Sequence, residues 1–286
     1  MSANESAILL IHCRDQRGLV ATVADFINRH GGNILHLDQH VDRQKGVFFM
    51  RAEWELSRFD LKPGEIETCF DLEIGRKFAM SWRLFYSEQR SRMAIFVSKF
   101  SHCLYDLLAR CQDREWQVDV SLIISNHPGL EKVAKGFEIP FYHIPITKDN
   151  KVEQEKKQLT LLKEHQVDVV VLARYMQIIG QEFVETFPNQ IINIHHSFLP
   201  AFVGARPYHA AYERGVKIIG ATSHYVTKDL DAGPIIEQGV VTVSHKDSVE
   251  DLIRQGQDLE KIVLAKAVYS HLMHRVLVYD NRTVVF

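Results

Sequence analysis

The stretch IINIHHSFLPAF, residues 191–202, brings an amide and two imidazoles to the end of an apolar run, and Pro200 ends any regular element there. Asn193 and His195 stand two residues apart, so on an extended strand they share one face while Ile194 and His196 take the other. These side chains suit attack on a carbonyl without a covalent enzyme intermediate. An amide N–H can donate to a developing oxyanion, and an imidazole can carry protons. A carboxylate would complete the set. YVTKDLDAGPIIEQ, residues 225–238, offers Asp229 and Asp231 in a turn-like segment, with Gly233 for unusual backbone angles and Pro234 to fix the exit. Spacing does not choose between the two acids, since either can be a solvated turn residue or an Asx-turn stabiliser. For His196 the alternation predicts a packing role that pins the loop SFLPAF.

A metal-site reading competes with this one, because His195, His196, His209 and His224 could gather around an ion with an Asp. No H-x-x-x-H pair sits on a helical segment and no Cys joins these histidines, so no metal is expected.

The elements that must position these residues fall into two halves. AILLIHC reads as a buried strand, and GLVATVADFINRHGG has helical spacing with a Gly pair at its end. ILHLDQHV and FFMRAEWEL alternate and are joined by a hairpin across DRQKG; a helix between Pro63 and Phe78 and the strand SWRLFY follow. This order predicts a ferredoxin-like α+β sandwich over residues 1–88, with the polar stretch 87–92 as a linker. Beyond it, MAIFVSKF, DVSLIISN, FYHIPI, VDVVVLAR and QIINIHH are near-continuous apolar runs, alternating with helical segments such as HCLYDLLARCQ and EKKQLTLLKEH. That rhythm predicts an α/β domain with a mostly parallel sheet whose strands end at a ligand cleft.

The bulk numbers exclude other classes. The 286 residues carry a net charge of −2 without a basic block, which argues against nucleic acid or a membrane surface as partner. No apolar run approaches a membrane span and the start lacks signal-peptide character. Four scattered cysteines without a C-x-x-C pair point to a reduced, cytoplasmic setting.

NIHHSFLPAFVGARPYHAAYERGVKIIGATSHYVTKDLDAGPIIEQ, with VVVLARYMQII upstream, closely resembles the formyltransferase family acting on 10-formyltetrahydrofolate. The resemblance implies a Rossmann-like fold for this domain over 93–286, and that Asn193, His195 and Asp231, rather than Asp229, are catalytic. It implies that Gln177, Ile178 and Ile179 offer backbone groups to the pterin edge, and that the loop containing Val226, Thr227 and Leu230 cups the pterin. The folate is then the substrate, and no cofactor is expected.

The family holds transferases and a hydrolase, so the acceptor must be inferred. In a glycinamide ribonucleotide transformylase, a Gly/Ser-rich loop after the first strand cradles the acceptor phosphate. The corresponding FVSKFSHCLYDLL, residues 96–108, has no glycine, and Phe100, His102 and Cys103 stand where small residues would be needed. Ser98 and Lys99 could bind an anion, although a lone Lys is more often a solvated surface charge. Water then becomes the expected acceptor, and metal-independent hydrolysis would yield formate and tetrahydrofolate. The resemblance places that formate in purine synthesis and in the balance of one-carbon folate pools. A transferase with a small unphosphorylated acceptor, or an amino-acid sensor with a dead catalytic half, remain the alternatives.

The first half resembles an ACT domain through RDQRGLVATVADFINRHGGNI. Asp15, Gly18 and Leu19 stand at the start of its helix, where backbone N–H groups can receive a ligand carboxylate, and Asn33 and Ile34 lie on the neighbouring loop. A plain helix cap is the competing reading. The resemblance implies glycine and methionine as effectors and pairing of these domains in a homo-oligomer.

Overall fold

The computed structural model describes residues 5–200 and 207–286, so the end of SFLPAF and the start of ARPYH lie outside the described residues. Two compact units result: one runs to Arg90 and takes in His274–Leu277 and Val284–Phe286, and the other comprises Ser91–Met273 and Val278–Thr283.

In the first unit, β1 (Ser6–Arg14) leads into α1 (Leu19–Arg29), β2 (Asn33–Asp42), β3 (Val47–Glu55), α2 (Glu65–Phe70) and β4 (Ser81–Tyr86). The strands form an antiparallel sheet in the order β2-β3-β1-β4, as the ferredoxin-like reading expects. Leu19, Val23, Phe26 and Ile27 form the buried stripe of α1 against that sheet, because residues three and four apart share a helix face. The expected helix after Pro63 is α2 continued by a π-helical turn at Asp71–Gly75; Ile66, Phe70 and Ile74 recur every four residues and stay in the core.

The second unit begins with β5 (Ser91–Val97), so the last two residues of the expected linker, Ser91 and Arg92, are already strand and pair with Val118 and Asp119. It continues through α3 (His102–Gln112), β6 (Val118–Ser125), α4 (Glu131–Gly136), β7 (Phe141–His143), α5 (Lys151–Glu164), β8 (Val169–Leu172), α6 (Gln181–Thr186), β9 (Ile191–His195), α7 (Pro207–Arg214), β10 (Ile218–Tyr225), β11 (Ile235–Thr242) and α8 (Val249–Leu272). β12 (Val276–Tyr279) and β13 (Arg282–Val285) close the chain as a hairpin. The seven-stranded sheet has the order β11-β10-β9-β8-β5-β6-β7. β7 through β9 are parallel; β10 and β11 are antiparallel additions. FYHIPI supplies only three strand residues, since Pro145 has no N–H to extend the edge ladder. The 24-residue α8 starts at a capping box of Ser248 and Asp251. Among the described residues no helix is long and apolar enough to cross a membrane.

Candidate active site

β9 places the central pair. It runs parallel to β8, with Leu172 opposite Asn193, and antiparallel to β10, with His224 opposite Asn193 and Thr222 opposite His195. Asn193 and His195 therefore emerge on one face at the carboxyl end of a parallel strand, as the alternation predicts. Both line a cavity of about 420 Å³.

Asp231 reaches this face from the β10–β11 loop. Its backbone is left-handed, at φ 53°, a conformation Asp tolerates better than most residues. The loop closes through Tyr225 N–H donating to Pro234 O at 2.9 Å, and Asn281 Nδ2 donates to Ala232 O at 2.8 Å. Gly233 is needed for a reason other than the unusual angles expected of it: a Cβ there would fall on the Tyr225 carbonyl oxygen. Asp231 Oδ2 then stands 3.2 Å from His195 Nδ1. The His195 imidazole, followed by that of His224, holds the Asp231 carboxyl well below the usual carboxylate range. His195 Nε2 is buried and has no hydrogen-bond partner. One ring nitrogen is thus oriented by a carboxylate and the other is left for a ligand.

His224 is the site residue that sequence reasoning missed, having weighed it only as a metal ligand. Its Nδ1 lies 2.9 Å from Tyr225 O, and a carbonyl only accepts, so Nδ1 carries the hydrogen. In the neutral ring Nε2 is bare and accepts from Asn193 Nδ2 at 3.2 Å. The remaining Asn193 N–H is free for an oxyanion. The 3.6 Å separation of His224 Nε2 from Asp231 Oδ1 is too long for a hydrogen bond, which leaves the Nε2 lone pair to Asn193. Replacing His224 by Phe is expected to lower kcat about 2- to 10-fold with little change in KM, the size of one net hydrogen bond. Steady-state kinetics checks this, and an unchanged kcat would remove His224 from the positioning of Asn193.

His196, the residue after the strand, is buried and borders the cavity as Ile194 does, and its ring lies 6.1 Å from that of Tyr208. Burial first, and then the charge of Arg174, push its pKa down to about 4, so it is neutral at pH 7. The described part of the loop SFLPAF is also held by Thr222 and Gln238. Leu199 N–H donates to Thr222 Oγ1 at 3.0 Å, and Gln238 Nε2 donates to Leu199 O at 3.1 Å. His209 is exposed on α7. Among the described residues, the donor groups close enough to hold an ion are His30–Cys69–Glu73 and His102–Cys103–Glu260, and neither contains His195, His196, His209 or His224.

Gln177, Ile178 and Ile179 follow β8 and line the same cavity, as do Val226, Thr227 and Leu230 from the loop after β10. Met176, Ile178 and Leu230 are exposed at 49%, 59% and 62%, an apolar rim of the kind that marks a ligand mouth. Asp229 lines the cavity too. After β5, the Ser98 hydroxyl donates to Asn126 Oδ1 at 2.6 Å and accepts from Met176 N–H at 3.0 Å, so it braces the β8 turn.

In the first unit, Asp15, Gly18 and Leu19 border a separate cavity of about 350 Å³ together with Gln39, Val41 and Phe48. Gly18 has φ 88°, and a side chain there would meet nothing, so backbone freedom alone requires glycine. Asn33 and Ile34 do not border this cavity. Asn33 pairs with Glu55, at the opposite end of β2 from Asp42 and Val47.

Comparison with known proteins gives two family matches: formyl transferase over residues 91–268 and ACT domain over residues 7–54. The chain is similar to formyltetrahydrofolate deformylase of Synechocystis sp., with 55% identity over 99% of both chains. It is also similar to the crystal structure of a formyltetrahydrofolate deformylase from Pseudomonas syringae pv. tomato, with 46% identity, coverage of 100% of this chain and 96% of that one, and a TM-score of 0.96. Glycinamide ribonucleotide transformylase 1 from Symbiobacterium toebii is 30% identical at a TM-score of 0.65, covering 71% of this chain and 97% of its own.

Proposed function

This chain belongs to the formyltetrahydrofolate deformylase family, and we propose on that premise how Asn193, His195 and Asp231 carry its reaction. It hydrolyses 10-formyltetrahydrofolate to tetrahydrofolate and formate. Water attacks the formyl carbon, the C–N10 bond breaks, and N10 takes a proton.

Asn193 donates its free N–H to the oxyanion that forms on the formyl oxygen. His195, protonated at Nε2, supports the same charge and then delivers a proton to N10, directly or through a water. Asp231, ionised throughout, stabilises the imidazolium through Nδ1 and positions the attacking water. The observation that carries this reading is the unpartnered Nε2 of His195, buried in the cavity while Nδ1 is held by a carboxylate. The pterin lies against Gln177, Ile178 and Ile179 and is cupped by Val226, Thr227 and Leu230, supported by their common cavity and its apolar rim. The reaction calls on no metal or cofactor in this reading.

Turnover in ¹⁸O-enriched water tests the acceptor. Formate should gain one labelled oxygen per turnover while tetrahydrofolate gains none; unlabelled formate would exclude attack by water.

The ACT unit is read as an amino-acid receptor for glycine and methionine, with the carboxylate received at the start of α1 near Asp15, Gly18 and Leu19. Asn33 and Ile34, at the far end of β2, would join such a site only from a second chain, in keeping with a homo-oligomer. The free cysteines, two of them buried, support a reduced cytoplasmic setting.

A further inference from the structure

One buried charge in the cavity has no part in the reaction so far. Arg174 stands two residues beyond the end of β8, lines the cavity with His195 and His196, and is only 8% exposed. Its Nε and Nη1 atoms are buried without a hydrogen-bond partner. Its backbone is left-handed at φ 63°, which costs an arginine on the order of 1 kcal/mol and a glycine nothing. The chain therefore holds a guanidinium in an unfavourable backbone state, away from water, with donors unused. Buried donors are nearly always paired, and those that are not sit at places where a ligand or water completes them.

Neighbouring groups fix this guanidinium without saturating it. Glu260, fully buried on α8, lies 3.5 Å from Arg174 Nε, near enough for attraction but without the alignment of a hydrogen bond. Its carboxylate is already served by Tyr208 OH at 2.7 Å and His102 Nε2 at 2.8 Å. The Phe100 ring packs 5.0 Å from the guanidinium carbon. His102 and Phe100 are among the bulky residues that replace a small-residue loop after β5.

We infer that Arg174 is the receptor for the one-carbon product, with its unused N–H groups donating to the carboxylate of formate. This rests on the hydrolytic reading, in which water and N10-formyl yield HCOO⁻, N10–H and one proton released to solvent. The product is the only new anion in the reaction, and a planar, permanently charged fork is the side chain best matched to a carboxylate. Glu260 keeps the guanidinium in place and offsets its charge, so that formate is held and still leaves.

Titration of ¹³C-formate into the resting enzyme, followed by its NMR linewidth, tests the site without turnover. Wild type should bind formate saturably at millimolar concentration, and Arg174→Gln should weaken binding at least about tenfold, as expected for a lost charge-assisted contact. Arg174→Gly repeats the measurement in a variant whose backbone suits its φ, so backbone strain cannot account for the result. Tetrahydrofolate binding should change little in either variant. Equal formate binding in wild type and both variants, or no saturable binding to wild type, would overturn the assignment. An enzyme that binds formate through Arg174 yet releases none from 10-formyltetrahydrofolate would contradict the hydrolytic reading and leave the anion site standing.

Discussion

Alanine at Asn193 is expected to lower kcat for formate release by at least about 100-fold, the loss typical of one oxyanion donor. KM should move much less, because the amide N–H meets charge that exists only as water adds to the formyl carbon. Asn193 sits opposite His224 across the β9–β10 ladder and its Nδ2 is held at 3.2 Å, so the donor is aimed before substrate arrives. His195→Ala should fall as far, since it removes both the proton carrier and the second oxyanion partner. The two losses should not add in the double variant, because both groups act on the same oxygen. A kcat within a few-fold of wild type in either single variant would remove that residue from the chemistry.

Asp231→Asn is the second large effect. The amide keeps the shape of the carboxylate but removes the charge opposite His195 Nδ1, 3.2 Å away. By analogy with other imidazoles oriented by a carboxylate, kcat should fall about 10²–10⁴-fold. The same substitution has a signature in stability. The folded pKa of Asp231 is lowered by His195 first and His224 second. A carboxylate of that kind contributes stability that is fully present above its unfolded value, about 3.9, and is lost as pH falls through the folded value. Denaturation midpoints of wild type and Asp231→Asn should therefore differ near pH 5 and converge in stronger acid. A gap that widens towards low pH would contradict the ionised, imidazole-paired carboxylate.

The site was legible in the sequence where chemistry followed from local periodicity. An apolar run ending in Asn-x-His places two polar side chains on one face at the mouth of a parallel sheet, and the structure has them there. Asp231 was different. Spacing could not separate it from Asp229, because both acids sit in one turn and line one cavity; the family pattern separated them, and the left-handed backbone at Asp231 gives the physical reason one acid turns to His195. His224 was invisible for a topological reason. Its partnership with Asn193 depends on β10 being antiparallel to β9 in a particular register, which no single-strand pattern encodes. Arg174 looked like the tail of an apolar strand, and its partner Glu260 lies on α8, far along the chain and within a helical stripe. The fold itself read more easily. Amphipathic α1 and the strand SWRLFY needed only spacing, whereas FYHIPI overran its strand because Pro145 ends the edge pairing.

Simultaneous measurement of both products, with 10-formyltetrahydrofolate as the sole substrate and no amine acceptor, tests the central claim most directly. Formate and tetrahydrofolate should appear in equal amounts with saturation kinetics, and Asn193→Ala should suppress both together. Tight folate binding with no formate released would contradict hydrolysis and leave a transferase awaiting its acceptor or a sensor without chemistry.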